Sequence, residues 1–314
     1  MDISLVIPAY NEEESLRELT AWISRVMAEA HLSYEILFID DGSTDNTWSE
    51  ITSLSKENPI RAFRFQQNYG KSAALFVGFE NAKGDVVVTM DADMQDSPEE
   101  IPALYKMIVC DGYDMVSGWK RRRHDPIGKT IPSKFFNRTA RMVSGIKLHD
   151  FNCGLKAYRL IVVKSIEVYG EMHRYIPILV KAAGFNKIGE KIVNHRARKY
   201  GVSKYGLERM MKGYLDLLTV TFLTRFSKSP MYLFGMLGTL LFFIGGIAVV
   251  YLIGEKLYIQ DMGLMAREVT DQPLFFLALT SIILGTQLFM AGFIAELLCR
   301  KSNDRNEYKI TQSI

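Results

Sequence analysis

Neither glycine-rich signature of a phosphate-binding loop, G-x-x-x-x-G-K or G-x-G-x-x-G, occurs in this chain, so the ATPase and Rossmann dehydrogenase readings lose support. Cysteine is scarce as well. Cys110, Cys153 and Cys299 are scattered and odd in number, with neither a zinc spacing nor a disulfide framework, which fits a reducing, cytosol-facing body. There is no internal repeat and no low-complexity linker. The chain opens directly on a β-type run, Ile3 to Ile7, so no secretory leader is expected. The net charge of +3 over 314 residues gives no reason to expect a nucleic-acid partner. Charge is unevenly distributed, however: residues 230–298 hold few charges and follow a strongly basic stretch.

The first half alternates apolar β runs with helix-length segments. Strands are predicted over Ile3 to Ile7, Tyr34 to Ile39, Arg61 to Phe65, Asp85 to Thr89 and Met115 to Gly118. Helices are predicted over Glu12 to Ala30, Thr44 to Glu57, Lys71 to Ala82 and Pro98 to Cys110. That order implies an α/β fold, a mostly parallel sheet with helices on both faces, in which ligands bind outside the carboxyl ends of the strands. Polar clusters follow four of those ends: Pro8 to Glu12, Asp40 to Asp45, Asn68 to Lys71, and Asp91-Ala92-Asp93-Met94-Gln95-Asp96. Four such loops on one rim describe a site.

Each cluster also has a plainer role. Ser43 or Thr44 could cap the second helix and Asn11 the first, and Asp96 suits a cap for the helix that follows it. Asp91, Asp93 and the amide oxygen of Gln95 crowd one strand end. They suit either a hard cation, Mg²⁺ or Mn²⁺, or a solvated acidic turn. Lys71 is harder to explain by capping, because a cation in a first helical turn is disfavoured unless an anion such as a phosphate lies nearby.

Taken together, Val6-Ile7-Pro8-Ala9-Tyr10-Asn11-Glu12-Glu13, Asp40-Asp41-Gly42-Ser43-Thr44-Asp45 and Asp91-Ala92-Asp93 resemble the inverting nucleotide-sugar glycosyltransferases of family 2, which have the GT-A fold. The resemblance implies that Pro8, Ala9, Tyr10, Glu12, Asp40 and Asp41, with Lys71, Asp91 and Ala92, bind the nucleotide-sugar (UDP- or GDP-sugar). It also implies that Asp91 and Asp93 form the D-x-D metal motif, with Gln95 as a further ligand. The segment Asp150-Phe151-Asn152-Cys153-Gly154-Leu155-Lys156 resembles D-x-x-x-G-F/L-K/R of the polyprenyl-phosphate members, such as dolichol-phosphate mannose synthase and the undecaprenyl-phosphate sugar transferases. There a basic residue and a serine four apart contact the acceptor phosphate, a spacing that Lys129 and Ser133 reproduce. Lys120, Lys134 and Arg138 complete the expected acceptor set. Lysines at 120 and 129, where arginine is frequent in that subfamily, replace a bidentate fork with a point charge.

The chemistry agrees with that resemblance. A sugar hydroxyl acceptor would need a general base, whereas a lipid phosphate is already an anion and needs cations and alignment instead. Asp150 is left with two roles, orienting the acceptor or a sugar hydroxyl, or buttressing the basic cluster. Towards the C-terminus, the run 201–228 carries Arg209, Lys212, Arg225 and Lys228 among apolar residues at helical spacing, as an interfacial helix would. Met231 to Ile253 and Pro273 to Ala295 are each long enough to cross a bilayer. The basic flanks and acidic connection place both termini in the cytoplasm.

The expected organisation is a cytosolic GT-A domain over 1–200, a juxtamembrane helix over 201–229, a two-helix membrane hairpin over 230–299 and a cytosolic tail over 300–314. Gly235, Gly238, Gly245 and Gly246 would allow close helix packing, which leaves a homo-oligomer open. Three rivals have less support, the first of them a processive or protein/glycan-directed family 2 enzyme. A processive synthase generally carries Q-x-x-R-W and more membrane helices; two helices beside a large cytosolic domain with a metal rim argue against a lipid-sugar flippase; and a catalytically dead lipid-sugar binding protein would be expected to lose Asp91 or Asp93.

Overall fold

The computed structural model describes residues 1–121, 137–142, 144–196 and 229–301, together with positions 219 and 222. It divides into two compact units, Met1–Thr221 and Phe222–Ile314.

In the first unit seven strands form one sheet in the order β3-β2-β1-β4-β6-β5-β7. The strands are β1 (Ile3–Ala9), β2 (Tyr34–Asp40), β3 (Ile60–Arg64), β4 (Val86–Thr89), β5 (Met115–Trp119), β6 (Lys156–Arg159) and β7 (Ile188–Ile192). Strands β1, β2 and β4 read as unbroken apolar runs because helices cover both faces of the sheet, leaving nearly every residue of these strands buried. The helix α1 (Leu16–Glu29) covers one face with Leu16, Leu19, Ile23, Val26 and Met27, a single apolar stripe at helical spacing. On the other face, α3 (Lys71–Asn81) packs closely, and a Cβ on its Gly78 would lie 2.2 Å from Val6 Cγ1.

The expected five strands and the parallel β3-β2-β1-β4 half are present, and β5 pairs in parallel with β7. Two strands were not foreseen. β6 and β7 are short and carry charges, so neither shows as an apolar run. β6 runs antiparallel to both its neighbours, pairing Lys156 with Thr89 of β4 and with Ser117 of β5. The start of β6 therefore lies beside the carboxyl ends of β4 and β5, on the rim where ligands bind.

The short helices α4 (Ile101–Val109), α5 (Leu160–Val163) and α6 (Ile176–Ala182) belong to the first unit. In the second unit, α7 (Met231–Asp261) and α8 (Pro273–Lys301) are long and apolar enough to cross a membrane, with mean hydropathies of 2.4 and 2.0 over their apolar spans. Only 17% and 11% of those spans are buried within the protein, so most of this apolar surface faces outward, as in a bilayer. The two helices touch backbone to backbone: a Cβ on Gly238 would meet the Gly285 carbonyl at 2.6 Å, and one on Gly245 the Ala278 carbonyl at 2.6 Å. Of the four glycines singled out in the sequence, Gly238 and Gly245 are thus used inside the hairpin, whereas Gly246 faces open space.

Candidate active site

The first and second loops of the rim are stitched together. Asn11 adopts φ 55°, its N–H donates to Ser43 Oγ at 3.0 Å, and its Oδ1 accepts from Thr44 N–H at 2.9 Å. Glu12 N–H reaches Thr47 Oγ1 at 2.9 Å. Capping roles for Asn11, Ser43 and Thr44 are therefore corrected. Helix α1 begins after Ser15, and α2 (Thr47–Leu54) after Asn46. These side chains instead fix the mouth of the rim, which is formed by Pro8, Ala9 and the half-buried Tyr10.

Asp40 and Asp41 follow β2 and divide the work. Asp40 accepts from Ser43 N–H at 2.9 Å and pairs with Arg64 Nε at 3.2 Å, closing its own turn. Asp41 accepts from Tyr69 N–H at 2.7 Å and Gly70 N–H at 2.9 Å, which binds the third loop to the second. Burial raises the Asp41 carboxyl above its ordinary value in spite of those two donors. Gly42 is obligatory here, with φ 71° and a Cβ position only 2.5 Å from the Gln67 carbonyl carbon.

Asp91, Ala92 and Asp93 occupy the turn after β4, and Met94 in the same turn holds φ 62°, a strained conformation for a residue with a Cβ. Asp91 is paired with Lys71, the first residue of α3. Burial alone would raise the Asp91 carboxyl, but Lys71 and then Lys120 outweigh it and hold it at about 2. Lys71 is itself pushed up, because Asp91 overcomes the effect of its burial. Asp93 is 7% exposed, and its Oδ1 accepts from Gln95 N–H at 3.2 Å.

Asp96 does not cap the following helix, because the short 3₁₀ turn there starts after Ser97 without a side-chain cap. Its buried carboxylate instead pairs with Lys120 Nζ at 2.7 Å. That ion pair raises Lys120 above its usual value although burial opposes it. Lys120, expected on the acceptor side, thus stands within the acidic rim. Gln95 is tied down through its carbonyl, which accepts from Arg196 N–H at 2.9 Å.

Gly154, just before β6, and Lys156, its first residue, complete this cluster. A Cβ on Gly154 would fall 2.5 Å from Asp91 Oδ2 and 3.0 Å from Asp96 Oδ2, so only a glycine leaves room between the two carboxylates. The Lys156 ammonium is buried, donates to the Cys153 carbonyl and is pushed below the usual lysine value by desolvation. Burial also pushes the Cys153 thiol up to about 12, so it stays protonated. A small polar pocket results, lined by Lys71, Asp91, Asn152, Gly154, Lys156 and His173. His173 is held from behind by Ser72, which accepts its backbone N–H at 3.0 Å and lies 3.1 Å from its Nδ1.

Asp150 is buried at the far side of the rim. Its N–H donates to Glu190 Oε1 at 3.1 Å, its carbonyl accepts from Ser117 Oγ at 3.3 Å, and its Oδ1 accepts from Asn152 N–H at 3.1 Å. Glu190 also takes the His149 N–H at 2.7 Å and pairs with His149 Nδ1 at 2.6 Å, while the imidazole stacks on Trp119 with ring centroids 4.1 Å apart. Arg138 is exposed on a helical stretch over 137–142. Lys129, Ser133 and Lys134, and nearly all of the basic run 201–228, lie outside the described residues.

The structure thus brings together Lys71, Asp91, Asp93 and Lys120, and adds Lys156, Gly154, His173 and Glu190, to which sequence reasoning gave no role. Lys156 and Gly154 stood within a recognised segment, but only the antiparallel course of β6 shows that they reach the rim. For a divalent cation, Asp91 and Asp93 offer hard oxygens, the Asp91 side chain 33% exposed and Asp93 7%. Among the described residues no three His, Cys, Asp or Glu side chains converge as a self-sufficient metal set. A bound cation would therefore draw the rest of its shell from water and substrate oxygens.

Residues 4–166 match the Glycosyl transferase family 2 profile. The chain is similar to a dodecaprenyl-phosphate galacturonate synthase of Rhizobium johnstonii, with 34% identity over 96% of this chain and 88% of that protein. An undecaprenyl-phosphate 4-deoxy-4-formamido-L-arabinose transferase of Shewanella sediminis is 35% identical over 96% of this chain and 88% of its own length. Among solved structures, glucosyl-3-phosphoglycerate synthase of Mycobacterium tuberculosis, in complex with Mn²⁺, UDP-glucose and phosphoglyceric acid, superposes with a TM-score of 0.54 at 20% identity, covering 71% of this chain and 79% of that one. Mannosyl-3-phosphoglycerate synthase of Rubrobacter xylanophilus gives 0.58 at 17% identity over 71% and 74%. These two likenesses concern the fold.

Proposed function

This chain belongs to glycosyltransferase family 2, and on that premise we propose that it moves a sugar from a nucleotide-sugar donor (UDP- or GDP-sugar) to a polyprenyl phosphate, inverting the anomeric carbon. The observation that carries the proposal is the charge pattern of the rim. Two carboxylates suited to a cation, Asp91 and Asp93, stand among the cations Lys71, Lys120 and Lys156, in a chain that also has two membrane-length helices.

Two phosphorylated substrates repel each other, and a cationic rim offsets that repulsion as they are brought into line. The Pro8 to Glu12 loop, Asp40 and Asp41 shape the nucleotide end, with the Tyr69 and Gly70 backbone held against Asp41. Mg²⁺ or Mn²⁺ held by Asp91 and Asp93, with Gln95 beside them, would supply positive charge to the leaving diphosphate. Lys71, paired with Asp91 at the same place, would offer its ammonium to that diphosphate. Lys129, Ser133, Lys134 and Arg138, with Lys120, are the residues to which we assign the lipid phosphate. That phosphate needs no base to attack, so Asp150 orients the acceptor or a sugar hydroxyl instead of removing a proton.

The reading extends to the membrane. The basic flanks at 199–228 and 300–301 and the acidic connection between α7 and α8 put the rim on the cytoplasmic side, where the head group of an anchored prenyl phosphate lies. Residues 201–229 would lie along that surface. Replacing Asp93 with Ala should abolish transfer while leaving the protein folded and in the membrane fraction, and full activity in that variant would remove the metal assignment.

A further inference from the structure

We propose that Lys71 is the resident counter-ion of Asp91, so that the site rejects a bare divalent cation and accepts one only together with the donor's diphosphate. The inference rests on the reading of Asp91 and Asp93 given above.

A lysine at the first position of α3 sits against the positive end of the helix dipole and is stable there only beside an anion. In the free protein that anion is Asp91. The two side chains are 31% and 33% exposed, open enough to exchange partners and covered enough for the pairing to matter. Gly70, with φ 93°, turns the chain into α3 directly before Lys71, and its N–H is anchored on Asp41, so the lysine is delivered from a fixed backbone. Asp91 is therefore occupied before any substrate arrives.

A cation entering alone would have to displace the ammonium, and it would leave Lys71 without its paired carboxylate. In return it would gain few protein ligands and keep most of its water shell, because no three His, Cys, Asp or Glu side chains among the described residues form a metal set and the neighbouring Asp96 is already paired with Lys120. A diphosphate removes both obstacles at once. Its oxygens fill the cation's shell and also take up the released ammonium, a point charge on a flexible stem that can swing from carboxylate to phosphate. Metal and nucleotide should then bind with strong positive coupling, and by linkage each should raise the affinity of the other equally.

The test is a titration of the purified full-length protein in nanodiscs with Mn²⁺, followed by electron paramagnetic resonance, without nucleotide and with UDP or GDP in parallel. Protein-free nucleotide controls correct for Mn²⁺ chelation. The wild type should bind Mn²⁺ about tenfold or more tightly once one of the nucleotides is present. Lys71→Met should bind bare Mn²⁺ more tightly than wild type and the Mn²⁺–nucleotide pair more weakly, collapsing the coupling, while Lys71→Arg should keep it. Opposite signs in one variant are not produced by general loss of structure, and thermal melting checks the fold. Should Lys71→Met fail to fold, Lys71→Gln and the wild-type coupling decide.

Equal Mn²⁺ affinity with and without either nucleotide in the wild type would overturn the proposal, as would Lys71→Met binding bare Mn²⁺ no better than wild type. Coupling without sugar transfer to polyprenyl phosphate would sustain this inference and refute the proposed reaction. Transfer without coupling would do the reverse.

Discussion

Replacing Gly154 with Ala adds one carbon at the tightest point of the acidic rim. That carbon would lie 2.5 Å from Asp91 Oδ2, 2.8 Å from Asp91 Cγ and 3.0 Å from Asp96 Oδ2, where ordinary contact begins at 3.4 Å. Gly154 does not need a glycine's backbone freedom, since its φ is not in the left-handed region, so the cost is steric alone. Neither carboxylate can yield easily, because Asp91 is held by Lys71 and the buried Asp96 by Lys120.

Relief requires Asp91 to move by roughly 1 Å, with a stability cost of about 1–3 kcal/mol, as for other overpacked sites. A displacement of that size at a reacting centre costs about 100-fold in rate. Transfer to lipid phosphate, measured by mass spectrometry of extracted lipid, should therefore fall about 100-fold in turnover, while the melting temperature falls by only a few degrees. Gly246→Ala is the matched control: nothing lies within 4 Å of the added carbon, and activity should be unchanged. A Gly154→Ala enzyme within threefold of wild type would refute the placement of the reacting centre beside Asp91.

Other perturbations probe separate parts of the rim and the hairpin. Glu190→Ala removes the acceptor for the His149 and Asp150 N–H groups and should lower turnover about tenfold with nucleotide affinity unchanged. Glu190→Gln should recover most of the loss, and the Asp150→Ala/Glu190→Ala pair should be no worse than Asp150→Ala alone if Glu190 acts through Asp150. Lys156→Met removes a charge that burial disfavours, so it should keep or raise the melting temperature while lowering transfer at least about tenfold; a parallel fall in both would make Lys156 structural. Gly238→Leu should splay α7 from α8 and lower thermal stability, whereas Gly246→Leu, facing open space, should not.

The pH dependence has a definite sign. The depressed Asp91 carboxyl stays ionised at neutral pH, and its stabilising pairing is complete above the ordinary 3.8 and lost as pH falls through about 2. An acid limb of activity near pH 6 should therefore follow the second ionisation of the lipid phosphate, which lies at about 6 for a phosphate monoester. The residual activity of Asp150→Asn should keep that limb, and its disappearance would make Asp150 a general base.

The parts of the fold that sequence made legible are those in which local pattern and burial agree. β1, β2 and β4 are apolar on both faces, and the polar residues that follow them belong to the ligand rim wherever a strand is parallel. Lys71, Asp41, Asp91 and Asp93 could be placed on one rim by that rule alone. It fails for Gly154, just before β6, and for Lys156, its first residue, which reach the rim only because β6 is reversed. It also fails for Glu190, whose position depends on the β5–β7 register that sets it opposite Ser117. Lys120 lay in a basic run and so suggested an acceptor site, but pairing with Asp96 is a long-range contact that spacing does not encode. Capping propensities misassigned Asn11, Ser43, Thr44 and Asp96 for the same reason: tertiary partners outcompeted local ones.

The central claim is that a lipid phosphate, and not a hydroxyl, is the nucleophile. The direct measurement gives the full-length protein in nanodiscs polyprenyl phosphate or the matching polyprenol, with Mn²⁺ or Mg²⁺ and a panel of UDP- and GDP-sugars, and analyses the lipid product. One donor should yield a single polyprenyl-phosphate sugar of inverted anomeric configuration, only with the phosphorylated lipid and only with metal. Equal transfer to the alcohol, or donor turnover with no sugar on the lipid phosphate, would contradict the account.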